Sequence, residues 1–403
     1  MTVLSGADIV GRDGIVSSGT LVVRDGRIAE VRAGSTPNGP LTGHLIVPGF
    51  VDIHIHGASG IDLLDGDEGV ARLAGALPQS GVTAFCPTTI ACAPADLARI
   101  LQQVRRLRAE PPAGGARVLP AHLESNFINP AYSGAQPRGC IRNAAPAAGP
   151  RARAAAGVAP APDPFSAADI LAVIDDYAPD IAIVTLAPEI EGGLDLVRRF
   201  AQAGIRVSLG HSAASYDEAM SAFDAGARHA THLFNRMPPL HHRAPGLAGA
   251  ALQRTDVVVE LICDGCHVHD ALVRVTVAAK GPAHVAAISD GTAIAGLPSG
   301  AGGTLGAQVI ESRDGAARLA DGTLAGSALT MDAAFARLVG PLGFSPVDAA
   351  AMCATTPARA LGLSNYGYIA EGAAADVVVL SPAGAVAQTW VGGRLVYARG
   401  AHA

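Results

Sequence analysis

Residues 46–57 of this 403-residue chain have the sequence IVPGFVDIHIHG. An apolar run typical of a buried strand ends on His54 and His56, with one isoleucine between them. Side chains two apart in a strand project from the same face, so both imidazoles would point to one place, and Gly57 lets the backbone turn directly afterwards. Neutral imidazole is a common zinc ligand, so the pair indicates half of a metal site. A hydrogen-bonded pair near a strand end would give the same short pattern.

Apolar runs of the same kind recur along the middle of the chain, and alanine-rich helical stretches such as residues 94–110 and 195–204 lie between them. Eight such runs occur, at residues 50–57, 82–89, 118–125, 181–189, 206–212, 229–235, 257–265 and 284–291. Eight repeats of strand and helix over about 300 residues predict an α/β protein with a (β/α)8 TIM-like barrel. A doubly wound open sheet is the alternative, but no glycine-rich phosphate turn follows the first run.

The two ends of the chain have a different pattern, with short alternating strands and hairpin turns at Asp25-Gly26 and Gly392-Gly393. We therefore predict a small β-sandwich domain formed by both termini. The expected division is residues 1–48 and 359–403 for the sandwich and residues 49–358 for the catalytic barrel.

Composition excludes several classes of protein. Hydrophobic residues make up 49% of the chain and charged residues 16%, which is enough apolar material for a large core. The formal net charge of −6 without a basic tract argues against nucleic acid as a partner. We find neither an apolar run of about 18 residues nor a secretory signal, so we expect no membrane association. The six scattered cysteines are typical of reduced thiols in a cytoplasmic protein, and we interpret the Cys263–Cys266 spacing as incidental.

Chemistry in such barrels is performed at the carboxyl ends of the strands. Five potential metal ligands and one further carboxylate lie at or near the ends of five of the predicted runs. These residues are His54, His56, Glu124, His211, His232 and Asp290. Glu124, His211 and His232 supply a donor set common for a catalytic divalent metal, and His54 and His56 could hold a second ion with Glu124 as a bridge. A bound metal lowers the pKa of its water toward about 7 and polarises a carbonyl oxygen.

Asp290 is the natural general base and acid of this set, although a helix-capping carboxylate would occupy the same position. It can take a proton from the metal-activated water and give one to a leaving nitrogen. The set therefore points to hydrolysis of an amide or a related bond.

Longer motifs resemble one family. The motifs, in chain order, are PGFVDIHIHG, TLAPE, LGHS, THLFNRMPPLHHRAPG, DGCHVH and DGTLAGSALTMDAA. Between about residues 46 and 362 the chain is similar to the N-acetylglucosamine-6-phosphate deacetylase family of the amidohydrolase superfamily. The resemblance implies a metal-dependent barrel that converts N-acetylglucosamine 6-phosphate to glucosamine 6-phosphate and acetate.

The same resemblance assigns roles to individual residues. Glu124, His211 and His232 match the principal metal ligands, and Asp290 matches the catalytic acid and base. His54 and His56 are retained, so one or two divalent ions are implied, with zinc expected first and iron, manganese or cobalt as alternatives. The residues that match substrate contacts are Ala135, Gln136, Asn235, Arg236, Arg243, His267, Leu324, Ala325 and Gly326.

Two of these substrate residues carry specific expectations. His267 matches a histidine that helps to polarise the scissile carbonyl, although a polar rim residue is the structural alternative. Arg243 matches an arginine that reaches the phosphate from the neighbouring subunit, which implies a homodimer, although a solvated loop charge would look the same. A guanidinium suits phosphate because its planar fork donates two hydrogen bonds at once.

The chain departs from the family pattern on the substrate side. Ser125 and Asn126 replace glycine and proline, Gln136 replaces a histidine, and Arg236 replaces a small residue. Arg236 could strengthen the binding of an anionic group or fill the space that a phosphate would take. The Ala-, Pro- and Arg-rich residues 137–165 predict a mobile loop over the site.

Two further functions remain as alternatives. If these four departures reshape the pocket, the protein is a sister amidohydrolase acting on a different N-acyl or cyclic amide. A non-catalytic barrel kept as a binding or scaffold protein is the third hypothesis, but such a protein is expected to lose ligands and this chain has lost none.

Overall fold

The computed structural model describes residues 1–34, 39–144 and 164–400. Its central sheet contains eight parallel strands that follow one another in chain order. These barrel strands are Phe50–Ile55, Val82–Thr89, Ala121–Glu124, Ile181–Leu186, Arg206–Leu209, His229–Ala230, Val258–Ile262 and Val285–Ile288. The eighth strand returns to the first, since the N–H of Asp290 donates to the His54 carbonyl at 2.9 Å and that of His56 donates to Gly291 at 2.8 Å. The predicted (β/α)8 barrel is confirmed.

The barrel strands are buried on both faces, which explains why their sequences are continuous apolar runs rather than alternating ones. Every residue of Phe50–Ile55 and of Val82–Thr89 is buried. The helices of the described residues are Gly69–Ala76, Pro94–Ala109, Ala167–Asp176, Gly193–Gln202, Tyr216–Asp224, Gly246–Gln253, Asp270–Lys280, Met331–Val339, Pro346–Ala350 and Thr356–Ala360, with a π-helical turn at Ala351–Thr355. Helices were predicted at residues 94–110 and 195–204, and both are confirmed.

Local signals in the sequence fix several helix starts. Ser166 with Asp169 and Ser215 with Glu218 form capping boxes in which each side chain satisfies a free backbone N–H. Short 3-10 segments connect other elements, at Leu77–Ser80, Pro130–Tyr132, Arg138–Cys140, Ala178–Asp180 and Pro282–His284.

Both termini contribute to one separate sheet domain. Its seven strands are Thr2–Val10, Ile15–Arg24, Arg27–Arg32, Leu45–Pro48, Val377–Leu380, Val386–Val391 and Arg394–Ala398. The hairpin turns predicted at Asp25-Gly26 and Gly392-Gly393 are confirmed, and all four residues have positive φ, as such turns require. The domain boundaries at residues 48 and 358 stay a prediction.

A small antiparallel sheet that the sequence reasoning did not predict follows the eighth barrel strand. Its strands are Gly302–Leu305, Gln308–Arg313, Ala316–Arg318 and Leu324–Ser327. Three shorter strands, Gly57–Ala58, Ile61–Asp62 and Arg117–Val118, complete the strands of the described residues. Most of the loop predicted at residues 137–165 lies outside the described residues. Within the described ranges, no helix has the length and apolar character needed to span a membrane.

Candidate active site

The structure brings the six predicted ligand and catalytic side chains together at the carboxyl ends of the barrel strands. Glu124 ends the third strand, whereas His211, His232 and Asp290 each lie two residues beyond their strands. These three residues adopt left-handed backbone conformations, with φ of 48°, 28° and 48°. Such conformations cost on the order of 1–3 kcal/mol each and are found where the surrounding structure enforces them, often at functional sites. The backbone just beyond three strands is therefore strained, and it places three side chains at the mouth of the barrel.

Glu124, His211 and His232 form one tight group of buried side chains. The Nε2 atoms of His211 and His232 lie 2.8 Å and 2.9 Å from Glu124 Oε1. The two Nε2 atoms are 3.1 Å apart. Two imidazole nitrogens and a carboxylate oxygen thus face a common point, as in catalytic metal sites that keep an open coordination position.

His54, His56 and Asp290 form a second group beside the first. Asp290 Oδ1 lies 3.4 Å from His54 Nε2 and 3.2 Å from His56 Nε2. Glu124 connects the groups, because its Oε1 is 3.7 Å from His54 Nε2 and its Oε2 is 3.5 Å from His56 Nε2. The Glu124 carboxylate is therefore placed to serve both groups.

Backbone and carboxylate acceptors fix the orientation of three of the four imidazoles. The Nδ1 atom of His211 lies 2.8 Å from the Tyr132 carbonyl, and that of His56 lies 3.0 Å from the Thr88 carbonyl. His54 Nδ1 lies 3.0 Å from Glu260 Oε2. A hydrogen bond that holds the proton on Nδ1 leaves the Nε2 lone pair directed into the site, which is how buried acceptors prepare histidine for metal binding.

The electrostatics of the site favour positive charge. Burial opposes protonation of His54, but the surrounding carboxylates of Asp290, Glu260 and Glu124 outweigh burial and raise the pKa of His54 to about 10. Burial would raise the pKa of Glu124, but the imidazoles, His211 foremost, lower it well below its usual range. The pKa of Asp290 is lowered in the same way, against burial, by His54 and His56. A divalent cation would supply the positive charge that these carboxylates favour.

The residues present fit a divalent metal ion. In each of the two groups, one candidate ligand atom per residue lies within 4.8 Å of the others. His54 Nε2 is buried without a hydrogen-bond partner among the described residues, although Asp290 and Glu124 lie within 4 Å, and a bound ion would satisfy it. Imidazole and carboxylate donors suit zinc, iron, manganese and cobalt.

A third cluster, made of His54, His122 and Glu260, lies deeper in the barrel. Both ring nitrogens of His122 already have partners, the Ile53 carbonyl at 3.0 Å and Thr185 Oγ1 at 2.7 Å. This cluster is therefore a structural network rather than an open ligand set.

A pocket of about 450 Å³ opens above the two ligand groups. Seven of the nine predicted substrate residues line it, namely Ala135, Gln136, Asn235, Arg236, His267, Leu324 and Gly326. Ala325 is fully buried in a core cluster with Ile294 and Leu305 and does not line the pocket. Arg243 is exposed and lies outside the pocket lining of its own subunit, where Nη1 contacts His242 Nε2 at 2.9 Å.

Gln136 is engaged at both ends of its amide. Its Oε1 accepts a hydrogen bond from the Ala91 N–H at 2.7 Å, and its Nε2 donates to Glu124 Oε2. Because a backbone N–H can only donate, this contact fixes which end of the amide faces Glu124. Gln136 therefore orients a predicted metal ligand in addition to lining the pocket.

Ser125 and Asn126 do not line the pocket in the described structure, and their effect on its shape stays a prediction. Ser125 Oγ donates to the Thr185 carbonyl at 2.6 Å, because the residue after Glu124 projects to the opposite face of the strand. Asn126 Nδ2 donates to the carbonyls of Cys92 and Cys140 at 2.8 Å and 2.7 Å. Both residues join backbone segments behind the site.

Two carboxylates that position predicted site residues were not predicted from the sequence. Glu260, on the seventh strand, holds His54, and Asp264 Oδ2 lies 2.6 Å from His267 Nδ1. Asp264 also accepts the backbone N–H of His267 at 2.8 Å. The only sequence signal for Glu260 is a charged residue inside an otherwise apolar run, and for Asp264 it is the position at a strand end.

The sequence is similar to a known family and to individual proteins over nearly its whole length. The sequence profile of the Amidohydrolase family matches residues 45–396. The N-acetylgalactosamine-6-phosphate deacetylase of Escherichia coli O157:H7 is 32% identical over 98% of this chain and 98% of that protein. The N-acetylglucosamine-6-phosphate deacetylase of Bacillus subtilis (strain 168) is 32% identical over 93% of this chain and 91% of that protein.

Solved structures agree with the sequence comparison. The N-acetylglucosamine-6-phosphate deacetylase of Thermotoga maritima superposes with a TM-score of 0.84 at 32% identity, covering 98% of this chain and 100% of that chain. A mutant of the Mycobacterium smegmatis enzyme in complex with N-acetyl-D-glucosamine 6-phosphate gives a TM-score of 0.85 at 31% identity, covering 98% and 99%.

Proposed function

The chain belongs to the amidohydrolase family, and we propose that it removes the acetyl group of an N-acetylated amino sugar phosphate by hydrolysis. The reaction adds water across the amide C–N bond and gives a free amine and acetate. N-acetylglucosamine 6-phosphate is the proposed substrate, since relatives that share about a third of the sequence over nearly the whole chain are named for it. One observation carries the proposal: two groups of potential metal ligands, one of which contains the Asp290 carboxylate, converge beneath one pocket.

Glu124, His211 and His232 would hold the principal metal ion, and His54, His56 and Asp290 a second one. A divalent ion there supplies Lewis acidity, which lowers the pKa of a water molecule and polarises a carbonyl oxygen. The ligand atoms suit zinc, which we propose as the ion, with iron, manganese and cobalt as other outcomes of metal analysis.

Asp290 moves the proton in the proposed reaction. Its Oδ1 lies against His54 and His56, whereas Oδ2 has no hydrogen-bond partner in the part of the chain that the structure describes. Oδ2 can accept a proton from the attacking water and deliver it to the amide nitrogen as the C–N bond breaks. The lowered pKa of Asp290 keeps the carboxylate ionised, as the first of these steps requires.

His267 is proposed to contact the substrate carbonyl. Its Nδ1 is paired with Asp264, so Nε2 is the ring nitrogen available to the pocket that His267 lines. Nε2 would donate a hydrogen bond to the carbonyl oxygen in the form of the ring that carries a proton on both nitrogens.

We also propose a cytoplasmic homodimer. All six cysteines are unpaired, as expected in a reducing compartment. The exposed loop that carries Arg243 is the segment proposed to reach the neighbouring subunit. Light scattering of the purified protein distinguishes a dimer from a monomer.

Acetate release by the metal-reconstituted protein tests the proposed function. The substrates are N-acetylglucosamine 6-phosphate, N-acetylgalactosamine 6-phosphate and unphosphorylated N-acetylglucosamine. We expect at least one phosphorylated sugar to be preferred. Absence of acetate from both phosphates would contradict the proposal, and activity on unphosphorylated amides alone would indicate a sister amidohydrolase.

A further inference from the structure

Arg236 occupies a strained position at the wall of the pocket. Its backbone is left-handed, with a φ of 52°, a conformation that arginine rarely adopts. The Arg236 carbonyl accepts the Ser212 N–H at 3.1 Å, which ties this residue to the loop that carries His211. Backbone strain of this kind is concentrated at binding and catalytic sites, so we expect the Arg236 side chain to have a function.

A glycine opposite makes room for the Arg236 side chain. A Cβ atom added to Gly134 would lie 2.5 Å from Arg236 Nε and 3.0 Å from Cδ and Cζ. Gly134 itself has a φ of 59°, so its backbone also favours glycine. The guanidinium therefore packs closely on the Gly134 backbone, at the side of the pocket that Leu324 also lines.

The guanidinium has unused hydrogen-bonding capacity. It carries five N–H donors, and Nη2 contacts the Leu324 carbonyl at 3.3 Å, with no other hydrogen bond formed among the described residues. No carboxylate of residues 1–34, 39–144 or 164–400 lies within ion-pair distance of it. The pKa of Asp321 is lowered, mainly by hydrogen bonds from Thr323 and to a smaller extent by the positive charge of Arg236. Asp321 nevertheless forms no ion pair with Arg236.

We infer that Arg236 binds the phosphate group of the substrate from within its own subunit. The inference rests on the proposed function and adds a residue that recognises the phosphate. An unpaired guanidinium fork matches a phosphate, to which it can donate two parallel hydrogen bonds. In a hexosamine 6-phosphate the acetamide at C2 and the carbon that bears the phosphate arm lie across the sugar ring. An anion site on the pocket wall, separate from the ligand groups, suits that arrangement.

This assignment changes the role expected for Arg243. Arg243 lies outside the pocket of its own subunit and can act only if it enters a neighbouring one. With Arg236 in place, each subunit carries its own cation for the phosphate. Phosphate recognition then no longer depends on the partner alone.

Steady-state kinetics of Arg236→Ala test the inference, with Arg236→Lys as the conservative variant and Arg274→Ala, an exposed helix arginine, as the matched control. For N-acetylglucosamine 6-phosphate we expect Arg236→Ala to raise KM about 10- to 100-fold, which corresponds to losing a charged hydrogen-bonded pair. We expect kcat to change much less and Arg236→Lys to restore part of the loss. The inhibition constant of inorganic phosphate should rise in parallel, whereas kcat/KM for unphosphorylated N-acetylglucosamine should change less than about threefold.

Several outcomes would overturn the inference. An unchanged KM in Arg236→Ala, or an equal loss on phosphorylated and unphosphorylated sugars, would show a structural role. A full loss in Arg243→Ala with none in Arg236→Ala would assign the phosphate to the partner subunit. In both cases the wild-type protein would still hydrolyse the phosphorylated sugar, so the proposed function would stand. Wild-type protein inactive on every hexosamine phosphate would instead refute the proposed function, and the inference with it.

Discussion

Replacing Glu260 by glutamine tests whether this buried carboxylate prepares the second ligand group for metal. Glu260 is fully buried, and its Oε2 lies 3.0 Å from His54 Nδ1 and 3.3 Å from the His232 backbone nitrogen. Glutamine has almost the same shape and can still accept these hydrogen bonds through its amide oxygen. The substitution therefore removes the negative charge and changes little else.

The magnitude follows from the difference between charged and neutral hydrogen bonds. A bond to a charged group contributes about 1.5–3 kcal/mol and a neutral one about 0.5–1.5 kcal/mol. A loss of about 1–1.5 kcal/mol at His54 corresponds to roughly a tenfold weaker metal site. This value lies at the lower end of the effects known for residues that hold metal-bound histidines.

Calorimetric titration of metal-free protein with Co²⁺ measures this effect. We expect the affinity assigned to His54 and His56 to fall about tenfold in Glu260→Gln. The matched control is Glu218→Gln, in which a capping-box carboxylate on an outer helix is neutralised, and it should leave the metal affinity unchanged. An unaltered titration curve for Glu260→Gln would refute the reasoning.

Three further predictions concern the pocket. Asp264→Asn should lower kcat/KM about 10- to 100-fold without loss of bound metal, because the pairing that fixes His267 is weakened; retained activity in steady-state assays would contradict this role. Gln136→Ala should lower the free energy of unfolding by about 1–3 kcal/mol, since it leaves a buried N–H unpaired, and denaturant titration of the metal-free protein measures it. Asp290→Asn should lower kcat about 10²- to 10⁴-fold while the protein keeps its principal metal ion, and turnover near the wild-type rate would remove Asp290 from the proposed chemistry.

The barrel could be predicted from the sequence because its strands are buried on both faces and therefore appear as continuous apolar runs. The predicted ligands could be located for a related reason. Parallel strands of a closed barrel all present their carboxyl ends at one rim, so a histidine or a carboxylate at each strand end must approach the others. His54, Glu124 and His232 come from distant parts of the chain, yet their positions at strand ends are enough to predict that they lie near one another.

Other features depend on orientation and tertiary contact, which the sequence does not reveal. Ser125 stands next to Glu124 in the chain, but strand alternation turns it toward Thr185 and away from the pocket. Glu260 has its role only because the seventh strand faces His54 across the barrel. The small sheet at residues 302–327 was detectable in principle, since Asp314-Gly315 is a hairpin turn signal.

A single turnover in H₂¹⁸O, with metal-loaded enzyme in excess over N-acetylglucosamine 6-phosphate, tests most directly whether this centre directs water at the amide. Mass spectrometry of the product acetate gives the isotope content of its carboxyl group. The account predicts acetate that carries one ¹⁸O after the first turnover, because the attacking oxygen comes from water. Acetate containing only ¹⁶O would mean that a carboxylate such as Asp290 attacks instead, and no acetate at all would mean that the site serves a different reaction.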